Sequence, residues 1–403
     1  MTTTLSPART RLALLALALG GFGIGATEFV AMGLLPNLAA DLLPDVYAAS
    51  RANAESQAGL LISAYALGVV VGAPTIAAAA ARFPRKKLLM VLLGVIVVAT
   101  LASAALPTFE SVLFARFVSG LPHGAYFGIA SLVAASLMGP GQRGRGIAFV
   151  LSGLTISNVI GVPAITYLGQ VTNWRVAYLA VAVIFALTFV AVSFVVPNQG
   201  GDPNATMKRE LRAFGRSQVW FALAMGAIGF GGFFAVYTYI APVVTEVTGQ
   251  DESFVPVVLV LFGLGMTIGN LLGGRLADHH VMRTLFACFV IFIVSLVGFA
   301  LSAESLVGLL VFAFLVSASA SALSPAIQTR LMDVAGDSQT MAAAVNHSSL
   351  NLGNSLGALL GGVVIASGFG YLSATWIGVA LAILGLLIAV GSALLQRVRP
   401  IRA

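Results

Sequence analysis

Long apolar runs separated by short polar segments make up most of the chain. A helix needs about 20 apolar residues to cross a hydrocarbon core about 30 Å thick. Runs of that kind predict twelve membrane-spanning helices over residues 12–35, 57–80, 87–106, 110–137, 147–168, 174–196, 218–244, 254–277, 284–301, 305–327, 340–365 and 371–395. The first run is too long for the apolar region of a secretory signal and is interrupted by Thr27 and Glu28, so we expect it to remain in the mature protein.

The scarcity of charge agrees with this pattern. Of the 403 residues, 59% are hydrophobic and only 9% are charged, whereas soluble domains carry about a quarter charged residues. The composition excludes a cytosolic enzyme, a secreted disulfide scaffold and a disordered chain. The one cysteine, Cys288, can form neither an internal disulfide nor a thiolate metal cluster, so we expect no metal site.

The basic residues predict how the helices are oriented. Lys and Arg concentrate in short cytoplasmic loops, and 18 of the 21 basic residues fall on one side if both termini are cytoplasmic. Of the other three, Arg51 and Arg175 fall on the outer side and Arg116 lies within the fourth span. Nucleic-acid binding is not indicated, because the basic residues are spread over short gaps instead of clustering on one surface.

A charged, polar stretch after the sixth span divides the chain into halves of similar length. We therefore expect an N-terminal six-helix bundle over 1–196, a cytoplasmic linker over 197–217 and a C-terminal six-helix bundle over 218–403.

The two halves share a weak internal repeat, as transporters built from duplicated bundles commonly do. Gly68 matches Gly265 and Gly72 matches Gly269, both at a separation of 197 positions, and Asn158 matches Asn354 at a separation of 196. Glycines at four-residue spacing, as in Gly265, Gly269 and Gly273, also predict close packing between helices.

These features resemble the major facilitator superfamily, and four stretches carry the resemblance. The first span, residues 26–42, is similar to the opening of the drug:proton antiporter branch with twelve helices, particularly bacterial relatives of arabinose and sugar efflux proteins. The other stretches are the loop from Gly72 to Lys87, the fourth-span residues Arg116, Gly120 and Gly124, and the fifth-span residues Gly153, Asn158, Gly161 and Pro163.

The resemblance implies an all-α integral membrane fold of two homologous six-helix bundles in a bacterial cytoplasmic (inner) membrane. It also implies a monomer whose partners are a small-molecule substrate, protons and the lipid bilayer, with no cofactor. The family's loop aspartate and glycine are replaced here by Ala81 and Pro84. A conformational latch on the cytoplasmic side would therefore depend on Asp278, together with Arg275 and Arg85; the alternative for the basic residues is a structural or topological role alone.

Two charged residues, Glu28 and Arg116, lie well inside predicted spans, where a charge is costly and usually functional. Glu28 lies about 12 Å below Pro36, and Arg116 lies about 9 Å below Glu110, at 1.5 Å per helical residue. Because the two depths agree, we expect both to face one cavity. Our hypothesis is that Glu28 carries the proton. The alternative is a static ion pair between Glu28 and Arg116, and Arg116 could equally be a structural ligand for backbone carbonyls.

Other candidates are weaker. His123 lies two turns from Arg116 and could relay protons, although a lone histidine is more often a packing residue, and His347 lies near the inner end of its span. Candidate substrate contacts, which could instead serve packing, helix bridging or lipid contact, are Asn158, Phe230, Phe233, Phe234, Tyr237, Asn351 and Asn354.

The function we expect is proton-coupled export of a small amphipathic compound, a drug or a sugar-like metabolite, by alternating access. A symporter that imports a nutrient would use the same carboxylate, and a membrane receptor without transport activity is the alternative from another class. No phosphate-binding loop or catalytic constellation is evident, which disfavours an enzyme and ATP-driven transport.

Overall fold

The computed structural model describes residues 6–80, 83–138, 142–200, 215–335 and 339–398, and within these ranges the regular structure is helical. Below, residues 6–200 are called the first half and residues 215–398 the second half. Most of the linker predicted over 197–217 lies outside the described residues, as do Ala81 and Arg82.

The first half consists of ten helices within its described residues. Side-chain caps satisfy backbone donors where several of them begin: Ser6 Oγ accepts from Arg9 N at 3.4 Å, and Asn173 Oδ1 accepts from Arg175 N at 2.8 Å. The helices are α1 (Pro7–Gly33), α2 (Leu35–Leu42), α3 (Pro44–Ala49), α4 (Arg51–Ala58), α5 (Leu60–Ala80), α6 (Arg85–Ala105), α7 (Phe109–Met138), α8 (Arg143–Ile156), α9 (Val162–Val171) and α10 (Trp174–Val195). A π-helical turn, Ser157–Gly161, joins α8 to α9.

The second half is more often interrupted. Its α-helices are α11 (Ser217–Ala224), α12 (Gly231–Tyr237), α13 (Ile240–Pro242), α14 (Val255–Ser302), α15 (Leu306–Ala335), α16 (Gln339–Val364) and α17 (Leu372–Val398). Three π-helical turns, Met225–Gly229, Val243–Val247 and Ile365–Phe369, and a 3-10 turn, Glu252–Phe254, fall between them.

Eleven helical segments of the described chain are long and apolar enough to cross a membrane. One of them, Glu252–Ser302, contains 51 residues, about 77 Å of helix at 1.5 Å per residue, or more than twice the thickness of the hydrocarbon core. It includes the spans predicted over 254–277 and 284–301. Helical geometry fails within it at His280, where φ is −150° and ψ is 79°.

Two predicted boundaries differ in ways that concern function. The second membrane-spanning segment starts at Arg51 instead of residue 57, so Glu55 lies inside a helix and is buried. The tenth extends to Ala335 instead of 327, which places Arg330 within α15 with only 4% of its surface exposed. In both cases polar residues continue a helix because neighbouring helices supply their partners.

Glycine contacts repeat between the halves with the same spacing as the sequence pattern. A Cβ added to Gly72 would overlap the carbonyl oxygen of Leu121, and a Cβ added to Gly269 would overlap that of Ala318. Both contact partners, like both glycines, are 197 positions apart. Close backbone approach therefore joins α5 to α7 and α14 to α15 in an equivalent way.

We predict that Gly269→Ala destabilises the protein because the added methyl group must displace the backbone of α15; overpacking of this kind costs about 1–3 kcal/mol. Gly274→Ala is the matched control, since a Cβ there meets nothing within 4 Å. Thermal unfolding of the purified protein in detergent should show a lower midpoint for the first variant only. A midpoint for Gly269→Ala equal to or above that of the parent would contradict this packing.

Candidate functional site

Three consecutive residues of α1 contact three different parts of the molecule. Thr27 accepts a hydrogen bond from Arg116, Glu28 accepts one from Asn354 of the second half, and Phe29 packs on aromatic rings of the second half. Glu28 is 5% exposed, and its Oε1 lies 3.4 Å from Asn354 Nδ2. The carboxyl group thus lies on the seam between the two halves.

Arg116 is fully buried in the first half beside this carboxyl. Its Nη1 donates to Thr27 Oγ1 at 3.1 Å, and its guanidinium lies 4.4 Å from the ring centroid of Tyr65 and 5.5 Å from that of Tyr178. Such cation–π contacts partly replace hydration.

Glu28 and Arg116 do not form an ion pair in this structure. In the described part of the chain, ion pairs join Arg51 to Glu55, Arg51 to Glu246 and Arg175 to Asp41. The static Glu28–Arg116 pair considered from the sequence is therefore absent, and each group has its own hydrogen-bond partner.

His123 and His347 approach each other across the seam. His123 Nδ1 lies 3.1 Å from the hydroxyl of Tyr65, and the two imidazole centroids are 6.3 Å apart. The ring of Phe127 stacks on that of His347, with ring centroids 5.7 Å apart and an interplanar angle of 7°. Tyr65 thus contacts both Arg116 and His123, a role that its position in an apolar span did not indicate.

The aromatic candidates of the seventh span form a buried cluster, so they do not face lipid. Phe233 stacks on Tyr237 at 5.2 Å, and Phe230 and Phe234 pack edge to face at 5.6 Å. From the first half, Phe29 lies parallel to Phe234, with centroids 6.4 Å apart, and edge-on to Tyr237 at 5.5 Å. The cluster therefore extends across the seam.

One face of α16 follows the seam along its length. Residues 347, 351, 354, 358 and 362 share this face at helical spacing. Asn354 donates to Glu28, and the carbonyl oxygen of Gly362 accepts from Ser56 Oγ at 2.7 Å. Asn158, the matching amide of the first half, lies in the π-helical turn Ser157–Gly161 and is 5% exposed.

The predicted latch residues are at the surface or contact their own half. Asp278 and Arg275 are exposed, and within the described ranges neither forms a hydrogen bond or an ion pair. Arg85 begins α6 and donates to Gln199 Oε1 at 3.5 Å, a contact inside the first half. The latch stays a prediction.

A charged cluster at the predicted outer end, which we call the outer clamp, also joins the halves. It consists of Arg51, Glu55, Glu246 and Tyr371. Arg51 pairs with Glu55 at 2.8 Å and with Glu246 at 2.5 Å, and the Tyr371 hydroxyl donates to Glu55 Oε2 at 2.5 Å. The spacing of Arg51 and Glu55 suits an ion pair on one helical face, but their partners in the second half come from distant sequence.

Burial raises the pKa of the nearby Tyr47 hydroxyl. Tyr47 therefore stays neutral at physiological pH, and its ring lies 5.9 Å from the Arg51 guanidinium.

Arg330 anchors three helices of the second half. Its Nη2 donates to Gln218 Oε1 at 3.0 Å, to Ser392 Oγ at 3.2 Å and to Gln396 Oε1 at 2.9 Å. From the sequence, Arg330 is interpreted only as a charge that orients the helices in the membrane, because the tenth span is predicted to end at residue 327.

Comparison with known proteins identifies a common family. A model of the Major Facilitator Superfamily matches residues 17–255 and 230–402. "Inner membrane transport protein YdhP" of Escherichia coli (strain K12) is 38% identical over 380 residues, covering 94% of this chain and 95% of that protein. "Chloramphenicol resistance protein" of Streptomyces lividans is 31% identical over 377 residues, covering 93% of this chain and 94% of that protein.

A solved structure supports the fold. The crystal structure of a D-xylose-proton symporter superposes with a TM-score of 0.74 at 16% identity, covering 94% of this chain and 97% of that one.

We predict that Glu246→Gln loosens the outer clamp. The assay uses Ser63→Cys in a Cys288→Ala background, because Ser63 is 5% exposed on the seam. The introduced thiol should react faster with an impermeant maleimide when Glu246→Gln is also present than when Glu246 is retained. The expected increase is about two- to fivefold, because a partly exposed ion pair contributes about 0.2–1 kcal/mol. Glu304→Gln, a change to an exposed carboxyl group at the same end, is the control. Equal labelling rates in parent and Glu246→Gln would mean that the clamp does not hold this end closed.

Proposed function

The chain belongs to the Major Facilitator Superfamily, so it is a multi-pass membrane transporter and not an enzyme, and from this premise we propose that it exports a small amphipathic compound in exchange for protons. Glu28 is the proton carrier in this proposal. Two six-helix bundles, residues 1–196 and 218–403, rock about the seam, and the linker 197–217 joins them. Counting the long helix α14 as two spans divided at His280 gives twelve, with both termini in the cytoplasm.

The observation that carries the proposal is the position of Glu28. Its carboxyl group is buried on the seam, and the hydrogen-bond donor it uses, Asn354, belongs to the other half. An ionised carboxyl group in a low-dielectric interior is costly unless it is partnered. When the halves separate, Asn354 moves away from Glu28. The charge state of Glu28 is thereby coupled to the conformation of the protein.

The cycle follows from this coupling. In the inward-facing state, substrate binding displaces the proton of Glu28 toward the cytoplasm. In the outward-facing state, the outer clamp is open, substrate leaves and Glu28 is protonated from outside. Each turn then moves one substrate outward and at least one proton inward, so the proton gradient drives export.

Neighbouring residues position the carrier in this scheme. Arg116, held by Thr27 and the rings of Tyr65 and Tyr178, supplies a fixed positive field beside Glu28. His123 is hydrogen-bonded to Tyr65 and lies next to His347, which suits a proton path toward the inner side. Asp278, with Arg275 and Arg85, would latch the inner side in the opposite conformation.

Two findings favour export. The fifth-span pattern Gly153, Asn158, Gly161 and Pro163 resembles exporters, and one relative is named for resistance to chloramphenicol. Proton symport would use the same carboxyl group but would reverse the sign of proton movement relative to substrate.

We predict that Glu28→Gln abolishes proton-driven transport, lowering it by at least about tenfold, because an amide cannot exchange a proton. Substrate exchange without a pH gradient should persist, since the amide still pairs with Asn354. The measurement is proton flux and substrate uptake in liposomes with an imposed pH gradient, screened against sugars, phenicols and lipophilic cations.

Glu110→Gln is the control, because Glu110 is an exposed carboxyl group at the start of α7, and it should leave the flux unchanged. Proton-driven transport that survives in Glu28→Gln would remove the carrier assignment. Proton and substrate movement in the same direction would establish symport.

A further inference from the structure

Two buried amide oxygens on the seam lack a hydrogen-bond partner within the described chain. Asn351 is 5% exposed and Asn354 is fully buried. The Oδ1 atoms of both lack a hydrogen-bond partner among the residues that the structure describes. Most buried polar groups in proteins are hydrogen-bonded, and an unsatisfied one is costly. Two such acceptors one turn apart therefore indicate a binding role.

The orientation of both amides is fixed by their other end. Asn351 Nδ2 donates to the backbone oxygen of His347 at 3.1 Å, and Asn354 Nδ2 donates to Glu28 Oε1 at 3.4 Å. An NH2 group can only donate, so each amide must present its oxygen as a free acceptor. We call Asn351 and Asn354 the acceptor pair.

An aromatic surface adjoins the acceptor pair. Phe29, which follows Glu28 in α1, lies parallel to Phe234 and edge-on to Tyr237. Tyr237 is fully buried, and its hydroxyl group also lacks a hydrogen bond within the described chain. The seam thus combines flat apolar surface with oxygen atoms that can accept hydrogen bonds.

The acceptor pair and the nearby cation, Arg116, lie on opposite sides of the seam. Arg116 is surrounded by Thr27, Tyr65 and Tyr178, all in the first half, whereas the acceptor pair belongs to the second half. A substrate at the acceptor pair therefore meets amide oxygens of the second half, whereas Arg116, whose Nε and Nη2 lack a hydrogen-bond partner among the described residues, lies beside Glu28 in the first half. Amide oxygens accept hydrogen bonds, so they attract compounds that carry N–H or O–H donors.

We propose that the acceptor pair selects the substrate class: compounds that carry N–H or O–H donors beside a flat aromatic part. This inference rests on the proposed transport function and specifies what that function acts on. Separation of the halves exposes the acceptor pair, a substrate donor pairs with each oxygen, and the ring packs against Phe29, Phe234 and Tyr237. A site built to bind a hydrogen-bonding group discriminates strongly against analogues that lack it.

The test is equilibrium binding to the purified full-length protein without a proton gradient, followed by thermal shift and intrinsic fluorescence. The probes are a phenicol, an aryl glycoside and an aromatic diamine. Each is compared with its fully O- or N-methylated analogue. At least one donor-bearing probe should bind at least about tenfold more tightly than its methylated form, since a lost hydrogen bond to a buried acceptor is worth about 1–3 kcal/mol.

Asn351→Leu separates recognition from structure, because it removes one acceptor without touching Glu28. It should lower the preference for the donor-bearing form about tenfold while affinity for the methylated form is retained. Asn346→Leu is the matched control: Asn346 is a buried amide of the same helix whose Oδ1 is also unpartnered, but it lies about 100° around the helix from His347. It should leave the preference unchanged.

Three results would overturn the proposal: equal binding of donor-bearing and methylated probes, equal loss of both in Asn351→Leu, or no binding by any donor-bearing probe. Because binding is measured without a gradient, donor selectivity can hold while proton coupling fails, and coupled flux can occur with no donor preference. The two claims therefore fail separately.

Discussion

A buried carboxyl group must have a partner, and in this protein the partner of Glu28 comes from the opposite half of the chain. The hydrogen bond from Asn354 crosses the seam along which the halves meet. If this contact is made and broken as the halves move, then the ionisation of Glu28 cannot be independent of conformation. The proposed proton coupling, the proposed competition with substrate and the role given to Arg116 all depend on that one constraint.

The rest of the fold supports a movable seam between stiff units. Glycine contacts bring α5 against α7 and α14 against α15 at backbone distance, which leaves little freedom inside each half. The seam also has polar contacts, such as the Arg51–Glu246 ion pair and the hydrogen bond from Ser56 to Gly362, together with a close glycine contact where Gly263 meets the backbone of Asn158. Polar contacts of this kind can be exchanged for water when one end opens.

Much of the architecture could be predicted from the sequence because membrane spans and charge placement are local signals. Glu28 and Arg116 were evident as the ionisable residues deep within apolar runs, and the 197-residue repeat of Gly72 and Gly269 anticipated equivalent packing. The partners were not evident. Nothing in the sequence near Glu55 indicates Tyr371, and Arg330 resembled a loop charge because the amides that bind it lie on α11 and α17. Pairings between distant segments are determined by tertiary structure, which one sequence does not encode in a readable local pattern.

Infrared difference spectroscopy on the purified protein tests the central claim most directly, because it observes the carboxyl group itself. A protonated carboxyl band should disappear when substrate binds, with proton release into the medium, and this change should be absent from Glu28→Gln. A band that persists at full substrate occupancy, or an identical difference spectrum in the variant, would contradict the assignment of Glu28 as the proton carrier.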